Sequence, residues 1–139
     1  MAALRTFSLQ ACTITFGGFT ISGFSADDAI TLDPSNDAFE VVTGADGDVS
    51  MAQKAVSWGI KISLSQTSKT NDTMSALIKS DILFGTGVLP FGVVDPRGTT
   101  VVVLTAARTI AYPSLALGTT IKNREWKLHG VGEVFVGGN

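Results

Sequence analysis

The sequence predicts a mainly β chain with one short α-helix packed against a sheet, and three observations carry that prediction. From Lys54 to Ser65 the run KAVSWGIKISLS alternates, with Val56, Trp58, Ile60, Ile62 and Leu64 on one side and Ala55, Ser57, Gly59, Lys61 and Ser63 on the other. A period of two marks a strand with one buried face. In NDTMSALIKSDILFG the spacing changes: Met74, Leu77, Ile78 and Ile82 recur every three or four residues, the stripe of an amphipathic helix. Finally, Asp95-Pro96-Arg97-Gly98 separates two apolar runs. Proline presets φ at the second turn position and glycine closes the turn, so residues 91–106 read as a hairpin.

The remaining elements follow in chain order. Short strands are expected near Arg5–Phe16, Phe19–Phe24 and Ala38–Thr43, and a glycine-bearing loop over Gly44–Ser50 precedes the long strand Lys54–Ser65. The helix is expected over 71–83. Asn71 suits its N-cap, Asp72 the positive end of its dipole, Lys79 a place towards the other end, and Gly85 its stop. Strands at Gly92–Val94 and Thr99–Ala106 form the hairpin, and two more, Glu125–His129 and Val131–Val136, end the chain. No repeat, low-complexity tract or linker interrupts it, so residues 1–139 read as one domain. So many strands in so short a chain leave edges. Either the sheet closes into a barrel or neighbouring subunits complete the edges.

Composition points towards neighbours. Only 16% of residues are charged and 45% are hydrophobic, against roughly 25% charged in an ordinary globular domain. A small domain has much surface to solvate, so part of this surface is expected to be covered by other chains. The net charge of −2 and a pI near 5.2 provide no overall basic field for nucleic acid. Up to Gln53 there are seven acids and one base, and from Lys54 onward nine bases and five acids. Either the subunit has an acidic and a basic end that favour head-to-tail contact, or the halves interleave and the asymmetry vanishes. A single cysteine, Cys12, excludes an internal disulfide and fits a reducing compartment. MAALRTFSLQ lacks the apolar core and cleavage site of a signal peptide, and no run approaches 18 apolar residues.

Candidate chemistry is sparse. Asp46, Gly47 and Asp48 resemble part of a calcium loop, but the third acid and the distal glutamate of an EF-hand are missing, so the stretch reads as a turn. His129, the only histidine, lies in a strand pattern without a nucleophile elbow, which suits a structural role. Cys12 has no basic neighbour to activate it, and one histidine with one cysteine cannot assemble a zinc site in one chain. Gly85-Thr86-Gly87 lacks the lysine of a phosphate loop. Asn71-Asp72-Thr73 matches a glycosylation triplet that helix capping explains equally well. Trp58 and Trp126 stand at strand positions as core or interface anchors. No enzyme, cofactor or metal is expected.

The run TGADGDVSMAQKAVSWGIKISLSQTSKTNDTMSALI resembles the tail-tube proteins of contractile-tailed bacteriophages. The matching features are the Ala45-Asp46-Gly47 loop before a long strand, then Leu64, Gln66, Thr67 and Ser68 leading through Asn71 into a helix with Leu77. The turn Asp95–Gly98, then Arg124-Glu125-Trp126 and a C-terminal strand, agree as well. The resemblance implies a β-barrel or sandwich with a flanking helix, shared in architecture with type VI secretion tube proteins. It implies a structural subunit of stacked hexameric rings inside a contractile sheath, serving as a conduit for genome ejection.

From that resemblance follow the expected sites and partners. Gly44, Ala45, Asp46, Gly47, Asp48, Val49 and Ser50 are expected as a mobile loop contacting the next ring, its acids meeting bases there. Ser57, Lys61, Ser63 and Ser65 are the candidate lumen face; Lys61 suits a DNA channel only if an acid offsets it, so the opposite face of the strand stays open as the alternative. Asp72, Lys79 and Asp81 would offer the outer helix face to the sheath. Implied partners are further copies of the chain, the tail sheath protein, baseplate and tail-terminator proteins, and the tape-measure protein and phage DNA in the lumen. The implied location is the virion tail, assembled in the host cytoplasm. The rival readings are a β-sandwich module that binds protein or carbohydrate without forming tubes, for which one tyrosine, Tyr112, is thin support, and a hydrolase built on Asp27-Asp28. Adjacent carboxylates on a strand point to opposite faces, which disfavours the hydrolase.

Overall fold

A computed structural model describes residues 4, 6–25 and 29–138. Asp27 and Asp28, like the start of the strand expected from Arg5, lie outside the described residues. The chain runs β1 (Thr13–Phe16), β2 (Phe19–Thr20), β3 (Ile30–Pro34), β4 (Phe39–Thr43), β5 (Val49–Gln53), β6 (Trp58–Ser65), α1 (Thr70–Phe84), β7 (Leu89–Val94), β8 (Val101–Ala111) and β9 (Asn123–Phe135). A short 3-10 turn at Leu9–Ala11 precedes β1. Seven strands form an antiparallel sheet in the order β2-β1-β7-β8-β9-β6-β3, while β4 and β5 pair only with each other. The sheet is open, with β2 and β3 at its edges, so the barrel alternative gives way to a sandwich-like, mainly β fold with one helix.

Inward side chains from β1, β7, β8, β9 and β6 join Met74 and Ile78 of α1 in one core cluster. Ile14 and Phe16 near one edge and Ile60, Ile62 and Leu64 near the other are all 0–2% exposed. A helix about 10 Å across cannot cover a face seven strands wide, roughly 29 Å at the usual strand spacing. Side chains from both ends of the sheet nonetheless meet in the one core cluster beside the helix.

The hairpin turn forms as expected. The Asp95 carbonyl accepts the Gly98 N–H at 3.3 Å, and the Asp95 carboxylate accepts the Arg97 N–H at 3.0 Å. Other expectations are corrected. The two C-terminal strands are one, β9, running through Gly130. There glycine is needed for space, because a Cβ would sit 2.8 Å from that of Ala107 and 2.9 Å from the Ala106 carbonyl oxygen. Gly130→Val is therefore expected to destabilise the fold by about 1–3 kcal/mol through overpacking. In urea melts this appears as a lower midpoint at unchanged slope.

Asn71 does not cap the helix. The helix starts at Thr70 after Lys69, which supplies no side-chain cap, while Gly85 ends it at φ 69° as expected. Asn71 is buried instead, its Nδ2 donating to the Ser65 and Ser68 carbonyls at 3.0 Å each and its Oδ1 accepting the Trp126 indole N–H at 2.9 Å. Ile82 also leaves the predicted stripe. Counting 100° per residue from Met74 and Ile78, the inward position of the last turn is 81, and Ile82 turns out to solvent at 69% exposure.

Candidate assembly surface

Register links β3–β6 to β4–β5. In the sheet, Ile30 faces Ile62 and Pro34 faces Trp58; in the separate hairpin, Phe39 faces Gln53 and Thr43 faces Val49. Paired residue numbers sum to 92 throughout, so the two hairpins are a single antiparallel ribbon with no slip between them. The ladder thins only at a neck, residues 35–38 and 54–57, which begins after Pro34, a residue with no N–H to donate. The long strand expected from Lys54 accordingly starts at Trp58, and residues 54–57 belong to the neck.

Beyond the neck the ribbon is an arm. Residues 33–55 are exposed without a break, and about seven residues a side beyond the neck give a reach of about 23 Å at strand rise. Its two faces are unlike. In the sheet, the even-numbered residues of the ribbon (Ile30, Leu32, Ile60, Ile62) turn to the core. In the arm the even positions Glu40, Ser50, Ala52 and Lys54 make a mainly polar face, apart from Val42, where Lys54 lies 3.6 Å from Glu40. The odd positions Phe39, Val41, Val49 and Met51 make an apolar face, each residue 55–68% exposed. The hydrophobic side of the ribbon thus changes over at the neck. A bare two-stranded hairpin is marginal in water, and among the described residues this one has no buried apolar side chain to support it.

The tip is a closed turn. Gly44 N–H reaches the Asp48 carbonyl at 2.7 Å, Gly47 N–H the Gly44 carbonyl at 3.0 Å, and Asp48 N–H the Asp46 carboxylate at 3.1 Å. Gly47 is required by its φ of 91°. Val49 and Ser50 belong to β5. Asp46 thus serves the turn, while Asp48 is exposed beside it. The charge asymmetry read from the two halves resolves onto the arm and its neck: residues 35–57 hold four acids and one base, the rest of the chain eight acids and nine bases.

The candidate lumen residues Lys61, Ser63 and Ser65 share the outer face of β6, opposite Ile60, Ile62 and Leu64. Lys61 stands directly across from Lys127, with Glu125 and Asp33 on its diagonals. Ser57 lies in the neck, hydrogen-bonded to His129 and Ser35. On the helix, Asp72 and Lys79 are exposed. Asp81 is engaged within the chain: Arg108 Nε lies 2.9 Å from its carboxylate, which also accepts the Gly87 N–H at 3.1 Å, and its side chain is only 11% exposed. Of its neighbours, sequence reasoning put Ile82 on the buried stripe and passed over Leu83 and Phe84, yet all three are 68–76% exposed at the helix end. The signal was present, since three consecutive large apolar residues cannot all lie on one helical stripe. Cys12 donates weakly to the Ser8 carbonyl at 3.4 Å, and partial burial with the nearby Asp95 carboxylate pushes its thiol above the usual value, which disfavours the nucleophilic thiolate.

No family model and no curated protein matches the chain. Solved structures do. A chain of the anti-feeding prophage cap, described as a tube terminating cap, superposes with a TM-score of 0.59 at 15% identity over 94% of this chain and 90% of its own length. A chain of an extracellular contractile injection system, described as a sheath/tube terminator in the extended state, superposes with a TM-score of 0.62 at 16% identity over 96% and 98%. At such identity the likeness is one of fold.

Proposed function

We propose that this chain is a structural subunit of a contractile tail-like apparatus, and that it assembles with copies of itself into stacked rings forming a tube inside a sheath. The observation that carries the reading is the arm: an exposed ribbon with an apolar face turned away from its own core side, net negative where the rest of the chain is net positive. Such a face calls for a cover, and a second copy supplies both apolar surface and opposite charge. The fold shared with chains of two contractile injection assemblies supports the same reading.

In this reading residues 1–139 act as one tube domain without catalytic activity, in hexameric rings. The arm, with its tip Gly44–Ser50, reaches a neighbouring subunit. The outer face carrying Lys61, Ser63 and Ser65 lines the channel, where Glu125 and Asp33 offset Lys61 and Lys127 so that a passing polyanion is not gripped. Asp72 and Lys79, together with the exposed Ile82–Phe84 end of α1, face the sheath. Terminator and baseplate proteins cap the tube, and its lumen holds the tape-measure protein and, in a virion, DNA. Negative-stain electron microscopy of purified protein over a concentration series tests this. Rings or hollow rods of constant width are expected; a chain that stays monomeric across the series, also when seeded with preformed tube ends, overturns it and favours the binding-module alternative.

A further inference from the structure

We propose that His129, Ser57, Ser35 and Asn36 form a one-directional hydrogen-bond chain that sets the direction of the arm. At the neck the ladder is reduced to Ser35 N–H to the Ser57 carbonyl at 2.8 Å and Lys54 N–H to the Ala38 carbonyl at 2.7 Å. Residues 33–55 are exposed, and in the neck only Val56 and Ser57 are half-buried. Apolar packing at the neck is therefore slight, and side-chain hydrogen bonds carry much of the arm's aim.

Proton counting gives the chain its direction. Asn36 Nδ2 lies 3.0 Å from the Asp37 carbonyl and 3.2 Å from the Ala55 carbonyl across the neck. Both are acceptors, so the amide orientation is fixed with nitrogen towards them and Oδ1 away. Oδ1 lies 2.7 Å from Ser35 Oγ, which must spend its only hydrogen there. Ser35 Oγ then accepts twice, from the Ser57 N–H at 3.3 Å and from the Ser57 hydroxyl at 2.9 Å. The Ser57 hydrogen is now committed, so Ser57 Oγ can only accept from His129 Nε2 at 2.7 Å. His129 must therefore carry a hydrogen on Nε2. The run goes from β9 in the body, through both strands of the neck, and ends on backbone carbonyls at the arm's root. Each link polarises the next, so the chain acts as a unit.

This inference rests on the proposed function only for its consequence in assembly, and its test is made on dilute monomer. Since His129 is the only histidine, its imidazole nitrogens are read without overlap by 15N NMR, and a dominant Nε2–H tautomer is expected at neutral pH. In a Cys12→Ser background, spin labels at Asp48→Cys and Lys79→Cys report the distance from the arm tip to the helix. A narrow distribution is expected for the parent. Ser57→Ala and His129→Leu should broaden it while leaving the melting temperature unchanged, and His129→Gln, which keeps a donor, should keep it narrow. An Nδ1–H tautomer, a broad parent distribution, or variants that stay narrow or lower the melting temperature would overturn the proposal. A narrow distribution in a chain that fails to assemble would instead count against the tube reading.

Discussion

Val41→Asp combined with Met51→Asp is expected to abolish rings and rods while leaving the subunit folded. The two residues face each other on the odd side of the arm, 57% and 68% exposed, so neither contributes to the core. In the free subunit the core is untouched and the body should melt as before, while the two carboxylates, facing each other across the ladder, weaken the arm's own pairing by up to about 1 kcal/mol. In an assembly it places two carboxylates in an apolar contact already flanked by acids, where burying an unpaired charge costs several kcal/mol. At about 1.4 kcal/mol per tenfold, even one such contact weakens association a hundredfold or more. Sedimentation velocity and circular dichroism on the same sample separate the two effects. Glu40→Gln on the opposite face is the control and should change assembly little. Deleting residues 44–50 is likewise expected to leave a folded subunit that makes no long tubes. Normal tubes from the double variant would show that the odd face is not the contact.

Asn71→Ala is expected to be the most damaging small change in the body, costing about 3 kcal/mol. Three hydrogen bonds vanish together. The worst consequence falls on Trp126, 1% exposed, whose indole N–H is left without an acceptor in the core. A buried donor without a partner costs about 1–3 kcal/mol, and the small cavity adds to it. For a chain of this length the melting temperature should fall by roughly 10 °C. Asn71→Asp tests the polarity of the site. An aspartate can still accept from Trp126, but as a carboxylate it points its second oxygen at two carbonyls that Asn71 now serves. Protonated, it can donate to one of them. Its folded-state pKa is thus expected to lie above the unfolded value of about 3.9. The sign follows: the folded state holds the proton more tightly, so the variant is least destabilised near pH 4 and loses stability as pH rises. A variant whose deficit shrinks with rising pH would contradict this geometry. Trp126→Phe removes the donor and part of the ring volume but leaves both Asn71 amide bonds to the Ser65 and Ser68 carbonyls in place. A double-mutant cycle over the pair should show coupling, because the two residues share one bond.

Local chemistry made much of this protein legible. Strict alternation through Ile60, Ile62 and Leu64 marked the strand and its buried face, because period two is imposed by the backbone itself. Asp95-Pro96-Arg97-Gly98 marked its turn because proline and glycine restrict φ residue by residue. Met74 and Ile78 marked the helix face, and Gly85 its end. The low charge is matched by large apolar side chains left exposed on the arm and at the helix end. What was not legible depended on pairs far apart in sequence. Gly130 looked like a break and is a close approach, because Ala107 lies opposite. Asn71 looked like a cap and is a clamp, because Trp126, 55 residues on, brings it a donor. Gly44–Ser50 looked like a loose loop and is the tip of a ribbon whose odd residues are apolar and whose even residues turn inward in the sheet. Side-chain parity along a strand can be read from sequence; which parity faces the core is set by register, and register is a property of two strands at once.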